Sequence, residues 1–492
     1  MNDRRPAVLA IGLAICMAIC MAICMGSCVV GPDFQRPAPP GVQAYRVPEP
    51  ADAGREAELE APQRIALGQE VPAAWWGLFR SPRLDGLLRQ VIAASCSLAA
   101  AKATLAEAGE AVVVARAALY PQVDLGLAAR SMRSSGSTAA TANAFSVDPS
   151  VSYSLDAFGG TRRRIEQATA QAEGQRYQLA AAYLTLTGST VTEAIAIASA
   201  RLEIATVEDL IRNDEKNLAL VERELDAGKV ARSEVLTAEA QLEGDRTQLP
   251  ALHQALSVAR HALAVLAGQA AGEWSPPDFD VAELTLPDEL PLSLPSELVR
   301  RRPDILAAEA QLHADSAAIG VATAEAYPSI TLSASLVQDS LTLARLFRSA
   351  SRSASAGGSL AAPLARGGAL GAARRAATDA YDAQLAIYRQ TVVQAFGQVA
   401  DVLAALEHDA QLAAASRRSL AIASASLALQ RSSYAAGKTS ALQLIAAENA
   451  YSDARLGNAR VTGQRLADTA QLFLAAGGGW WGSADVAPPS RP

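Results

Sequence analysis

Residues 145–163 read FSVDPSVSYSLDAFGGTRR, and this stretch decides the fold. Val147, Val151, Tyr153 and Leu155 fall on one side of an alternating run, whereas Ser146, Asp148, Ser150, Ser152, Ser154 and Asp156 fall on the other. A period of two predicts a strand, here over 145–156, with one apolar and one polar face. Gly159-Gly160 ends it. From Thr161 to Asp226 the chain has no proline and stays helical in composition. At 1.5 Å per residue that helix is about 100 Å long. Val207 with Leu210, then Leu218, Val221 and Leu225, recur at spacings of three and four, which suggests coiled-coil packing without clean heptads.

Outward from this core, a second strand is predicted over 121–131. Val123, Leu125, Leu127 and Ala129 alternate with Gln122, Asp124, Gly126 and Arg130. A Ser/Gly/Thr/Asn-rich loop, 133–144, joins the two strands. A helix from about Arg83 to Leu119 precedes them and stops before Pro121. Downstream, Gly228 closes the long helix with a left-handed cap and a second helix spans 230–268.

The whole unit then recurs. Pro121 matches Pro328, Gly159-Gly160 matches Gly367-Gly368, Ala227-Gly228-Lys229 matches Ala436-Gly437-Lys438, and Glu239 matches Glu448, at offsets of 207 to 209. This is duplication of one large unit rather than a short solenoid period. Repeat one covers 83–272 with its tip near 228. Repeat two covers 296–476, with strands at 328–338 and 353–363, and its tip near 437. Ile330, Leu332, Ala334 and Leu336 alternate with Thr331, Ser333 and Ser335, while the 353–363 strand rests mostly on the repeat. Ser233 and Ser440 stand near the starts of the helices after the tips. A proline-rich linker, 273–295, joins the copies, and a Gly/Trp/Pro-rich tail, 477–492, reads as flexible, with Trp480 and Trp481 unexplained.

The first 27 residues give the address. Arg4 and Arg5 precede the apolar run 7–25, and Met25-Gly26-Ser27 precede Cys28. A basic head, an apolar body and small residues before the cut make a secretory signal over 1–27. The run Met25-Gly26-Ser27-Cys28 resembles a bacterial lipoprotein signal. An uncleaved membrane anchor is the alternative, and no spanning helix follows the signal. The resemblance implies a mature chain that starts with a lipidated Cys28 on a proline-rich arm, 28–82. Cys96 is its only other cysteine, so no disulfide is expected. The full chain of 492 residues has a formal net charge of −7, which speaks against nucleic acid as a partner.

Strands of about ten residues with one apolar face suit a membrane barrel with a wet lumen. Four strands cannot close one, because open edges are not tolerated in lipid. Two copies give eight strands and little lumen, while three give twelve and a channel, continued by long helices as an α-helical barrel. On this reading Asp124, Asp148 and Asp156 line the lumen.

Several runs carry a resemblance: Cys28-Val29-Val30-Gly31-Pro32-Asp33-Phe34, Trp75-Trp76 with Phe79, Leu119-Tyr120-Pro121, Asp156-Ala157-Phe158-Gly159, Arg302-Pro303-Asp304, Gly320-Val321-Ala322 with Tyr327-Pro328, and Ala436-Gly437. The chain resembles the TolC-like outer-membrane efflux proteins, in their lipoprotein branch. The resemblance implies a homotrimeric exit duct in the outer membrane, lipid-anchored at Cys28. It would dock on a periplasmic adaptor (membrane fusion protein) and an inner-membrane pump, use no cofactor or metal, and catalyse nothing. Val29 after the lipidated cysteine implies outer-membrane sorting. Gly228, Lys229, Gly437 and Lys438 fall where the family docks its adaptor. The aspartates that line the family's closed aperture are replaced by Gln443 and Ala446, with Glu234 as a substitute in copy one. Substrate identity stays open among drugs, metals, siderophores and nodulation-type signals.

No catalytic constellation emerges. His253 and His261 are eight residues apart on one helix. The glycine run Gly367-Gly368 lacks the lysine of a phosphate loop and reads as a strand-to-helix turn. Arg300, Arg301 and Arg302 suit capping or ion pairs, and Trp75 and Trp76 suit packing. A lipid-anchored coiled-coil spacer without a channel is the alternative reading, which the polar strand faces disfavour.

Overall fold

A computed structural model describes residues 29–38, 41, 44–45, 63–133 and 141–482. The signal segment 1–27, Cys28, most of the arm between 39 and 62, residues 134–140 and the tail from 483 lie outside the described residues; of the expected 133–144 loop, Arg133 and residues 141–144 are strand instead. In chain order the elements are β1 (Arg64–Leu67), α1 (Pro82–Ala94), α2 (Cys96–Ala117), β2 (Gln122–Arg133), β3 (Thr141–Leu155), α3 (Gly160–Asp226), α4 (Arg232–Arg246) and α5 (Gln248–Leu266). After them come β4 (Glu289–Leu292), α6 (Pro295–Leu298), α7 (Pro303–Ala324), β5 (Ser329–Ser340), β6 (Arg352–Ala361), α8 (Ala369–Ala435) and α9 (Ala441–Ala475). The chain forms two compact units, and α3 and α8 contribute turns to both.

The first unit holds residues up to Ala38, Ala103–Gln175 and Ala307–Arg389. Its centre is an antiparallel sheet in the order β2-β3-β5-β6. The register sets Asp124 opposite Ser150, Ser150 opposite Ser335 and Ser335 opposite Ser355. Val123 faces Val151, and Tyr153 faces Leu332. One face is therefore serine-rich and the other aliphatic across all four strands. The Ser335 and Ser355 hydroxyls meet at 2.9 Å on the polar face. The apolar face is uncovered: Val123 is 74 % exposed, Leu127 71 % and Leu360 67 %. The β3–β5 pairing skips Asp148 and Pro149, where proline offers no ladder donor.

The second unit holds Pro39–Lys102, Arg176–Leu306 and residues from Gln390 onward. Here β1 and β4 pair in parallel, Arg64 opposite Glu289. Trp75, Phe79 and Phe473 are fully buried, with Trp75 and Phe473 5.5 Å apart. That bears out the packing role of Trp75. The buried positions of α9 (Ala441, Ile445, Glu448, Ser452, Leu456, Ala459, Gly463, Leu466, Ala470 and Phe473) step by three and four along one seam. This is the coiled-coil pattern that alanine blurs in the sequence.

Three expectations need correction. The first helix is broken at Ser95, whose hydroxyl accepts from the Leu98 amide at 3.4 Å and starts a new helix bent by 46°. The helix over 230–268 is broken at Thr247, because Pro250 in the first turn of α5 has no amide proton to continue the ladder. The tail is folded up to Gly482: Trp480 is buried, its indole donates to the Arg301 carbonyl at 2.8 Å, and Trp481 stacks on the Arg301 guanidinium at 5.2 Å. Arg302 donates to the Ala475 carbonyl at 3.0 Å and to Asp304 at 2.6 Å, so the arginine run caps the end of α9.

Candidate functional site

The candidate residues fall mainly in two regions, the sheet and the two hairpin tips. At the tips, α3 and α8 end alike. Lys229 N donates to the Glu224 carbonyl at 2.8 Å and Gly228 N to Leu225 at 2.9 Å. Lys438 N donates to Ser433 at 2.9 Å and Gly437 N to Tyr434 at 2.9 Å. Gly228 (φ +70) and Gly437 (φ +69) take the left-handed conformation this cap requires, with open space around both. Lys229 and Lys438 are exposed at these tips.

Beyond the tips the copies diverge. Ser440 caps α9 and forms a reciprocal capping box with Gln443. The Gln443 side chain is thus engaged in its own helix start. Ser233 lies inside α4, whose cap residue Ala231 offers no side-chain bond, so that expected cap is absent. Glu234 sits half-buried in the first turn of α4, with Oε2 buried and unbonded.

Between the helices lies a polar layer invisible to the motif reading. The Tyr434 hydroxyl donates to Glu224, and Asn217 donates to Glu448, which also meets Arg431 at 3.3 Å. Arg460 reaches Glu203 at 3.0 Å, and Arg455 pairs with Asp209. Burial and Glu224 push the Tyr434 hydroxyl well above the usual phenol range. Asp214 is pushed up to about 7 by burial first, then by its hydrogen bond with Asp245 and the nearby Glu448. Asp409 is likewise pushed up to about 7 by burial and by Asp468. Asp214 occupies a heptad-like position in the stripe between Ile211 and Leu218, and that spacing is the sequence signal that could have found it.

On the sheet, Asp124 and Asp148 lie on the polar face, Asp148 opposite Gly126. Asp156 is corrected: it falls one residue past β3, where its carboxylate accepts from the amides of Thr161 at 2.8 Å and Arg162 at 3.0 Å. It caps α3 and is not a strand-face residue. Gly367 and Gly368, both at positive φ, form the strand-to-helix turn of copy two. His253, His261 and His408 are exposed, and among the described residues no group of three His, Cys, Asp or Glu could hold a metal.

Residues 87–269 and 294–478, which span the two repeats, match the family described as outer membrane efflux protein. The chain is 30 % identical over 449 residues to the pyoverdine export outer membrane protein OpmQ of Pseudomonas aeruginosa PAO1, covering 88 % of this chain and 93 % of that protein. It is 25 % identical over 451 residues to the probable outer membrane lipoprotein SilC of Salmonella typhimurium, covering 92 % and 95 %. The fold matches the outer-membrane channel OprN with a TM-score of 0.81 at 26 % identity, covering 92 % of this chain and 100 % of that one.

Proposed function

Because the chain belongs to the outer membrane efflux protein family, serving as an outer-membrane exit duct, we propose that three copies join β6 of one to β2 of the next in a twelve-stranded barrel. The observation that carries this reading is the sheet itself: one serine-rich face, one uncovered aliphatic face and two unpaired edges. In hydrocarbon each unsatisfied edge group costs several kcal/mol, so the edges must meet other strands. Ile387, Val393, Ile422 and Leu429 on α8 are 54 to 70 % exposed, which suits cover by neighbouring copies in an α-helical barrel. A lipid on Cys28 anchors each copy, in keeping with a relative named as a lipoprotein. The tips at Lys229 and Lys438 meet a periplasmic adaptor, and an inner-membrane pump supplies cargo and energy. The duct itself performs no bond chemistry and holds no cofactor. A relative named for pyoverdine export makes a molecule of that kind a fitting cargo for the serine-rich face.

Planar-bilayer recording from the purified full-length protein tests the duct, and absence of current from folded oligomers would favour the coiled-coil spacer. Two substitutions separate the faces. Leu125→Arg on the aliphatic face is expected to destabilise the oligomer by about 2 kcal/mol. Ser150→Arg on the polar face should change stability by less than about 0.5 kcal/mol and shift the channel towards anion selectivity. Equal destabilisation by both would refute the facial assignment. For the tips, a photo-crosslinking residue at Lys438 is expected to capture a periplasmic adaptor in cells; capture of this chain alone would remove the tip from the docking role.

A further inference from the structure

The loop between β5 and β6 combines two features that water does not favour together. Leu341, Leu343 and Phe347 are 68, 65 and 76 % exposed. Arg345, Arg348 and Arg352 are exposed among them. None of the three arginines has a carboxylate partner among the described residues, and no Asp or Glu occurs in the sequence between Asp339 and Asp379. Asp339 lies on the polar face of β5, whereas Arg352 lies on the aliphatic face of β6, opposite Gln338.

The loop is held in shape rather than loose. Two short 3-10 turns, Leu343–Arg345 and Ser349–Ser351, fold it. The Ser351 hydroxyl donates to the Arg345 carbonyl at 2.9 Å, and Arg348 N donates to the same carbonyl at 3.1 Å. Leu346 is 4 % exposed and pins the middle of the loop. The outward-pointing leucines and phenylalanine are therefore presented by an ordered segment that has buried a different leucine.

We propose that this loop binds a phosphate-bearing glycolipid of the outer leaflet, with Arg345, Arg348 and Arg352 on the phosphates and Leu341, Leu343 and Phe347 against the acyl chains. The proposal rests on the barrel reading, which puts the Ser340 end of β5 at the outer rim, away from α7, which leads into the Ser329 end. At that rim the aliphatic strand face gives way to lipid headgroups. Guanidinium forks match phosphate oxygens in pairs, and apolar side chains gain by entering the acyl boundary. A second copy of the loop is a poor occupant, because it would bring three unpaired cations against three more.

The test uses the full-length lipidated oligomer in phosphatidylcholine nanodiscs, with diphosphoryl lipid A as the probe. Wild type is expected to retain the probe, and the triple variant Arg345→Gln, Arg348→Gln, Arg352→Gln to weaken retention about tenfold or more. Phe347→Ser should weaken it several-fold, and monophosphoryl lipid A should bind less tightly than the diphosphoryl form. Bilayer conductance serves as the control that the channel is intact. Equal retention by wild type and triple variant overturns the proposal, as does equal retention of phosphatidylcholine. Loop-to-loop crosslinking through Ser349→Cys also overturns it. In a Cys96→Ser background, Ser349→Cys should react with a membrane-impermeant maleimide on intact cells. Reaction without lipid A binding sinks only the lipid site, whereas no reaction sinks the barrel orientation and the site with it.

Discussion

Replacing Arg163 with leucine is expected to cost about 3–5 kcal/mol and to release the arm at residues 29–38, the largest single effect anticipated in the molecule. Arg163 is 3 % exposed. It donates to the carbonyls of Val30 at 3.1 Å and Gly31 at 3.2 Å, to Asp33 at 2.8 Å and to Glu166 at 2.7 Å. Leucine would leave the Val30 and Gly31 carbonyls without this donor and Glu166 with His313 alone, and leaving such groups underpaired is what makes the loss large. The arm has little freedom to adjust. A Cβ on Gly31, at φ +96, would stand 2.4 Å from the Gly320 Cα, so the arm backbone lies directly on α7. Phe34 stacks on His313 at 4.4 Å, and His313 meets Glu166 at 3.0 Å, which ties the arm to the same cluster. Lysine should not rescue, because one ammonium cannot replace a five-donor fork spread over four acceptors. Thermal unfolding of the full-length oligomer and chymotryptic cleavage after Phe34, which is followed by Gln35, read the two consequences. An unchanged melting point with a protected arm would show that Arg163 is dispensable.

β2, β3 and β5 were legible because they alternate in the sequence, and side chains with a period of two leave no ambiguity about the face, whereas β6 was legible only through the repeat. The repeat was legible because its landmarks are glycines and prolines, whose roles are backbone roles that survive divergence. What the sequence hid was local competition for hydrogen bonds. Asp156 continues the polar alternation of β3 on paper, yet two free amides at the start of α3 recruit its carboxylate. Its counterpart in copy two is Leu364, 95 % exposed, so the repeat did not warn of the cap. Ser233 and Ser440 look equivalent, but only Ser440 has Gln443 three residues on to complete a capping box. The tail looked loose because glycine and proline dominate it, while Trp480 found a carbonyl acceptor at Arg301 that no linear pattern reveals. Asp214 was the instructive miss. An acid in an apolar stripe reads as a break in the heptad, whereas here it remains in the seam and changes its proton affinity instead.

Acidification is therefore expected to strengthen the helical hairpins. Burial, the hydrogen bond with Asp245 and the nearby Glu448 raise Asp214 to about 7. Unfolded aspartate titrates at about 3.9, so the folded chain binds more protons between those values. A carboxyl with a raised folded pKa lowers stability progressively as pH climbs through that window, and the loss is complete above the folded value. The groups facing Asp214 are Asn217 on α3, Asp245 with its partners Gln241 and Gln248 on α4 and α5, and Glu448 on α9 with Arg431 of α8. Arg431 pairs with Glu448 at 3.3 Å, so its charge is committed there and does not offset the burial of Asp214. Asp409 adds a second such site, raised by burial and Asp468 and partly offset by Arg465. Each site is worth at most about 4 kcal/mol at 1.36 kcal/mol per pKa unit. Asp214→Asn keeps a donor for Asp245 without the charge and should add about 2 kcal/mol at about pH 8 and nothing at about pH 4. Thermal unfolding followed by helical circular dichroism across that range gives the comparison. A wild-type stability that rises with pH, or an Asp214→Asn gain that is the same at both ends, would show that the buried pair carries its charge without penalty.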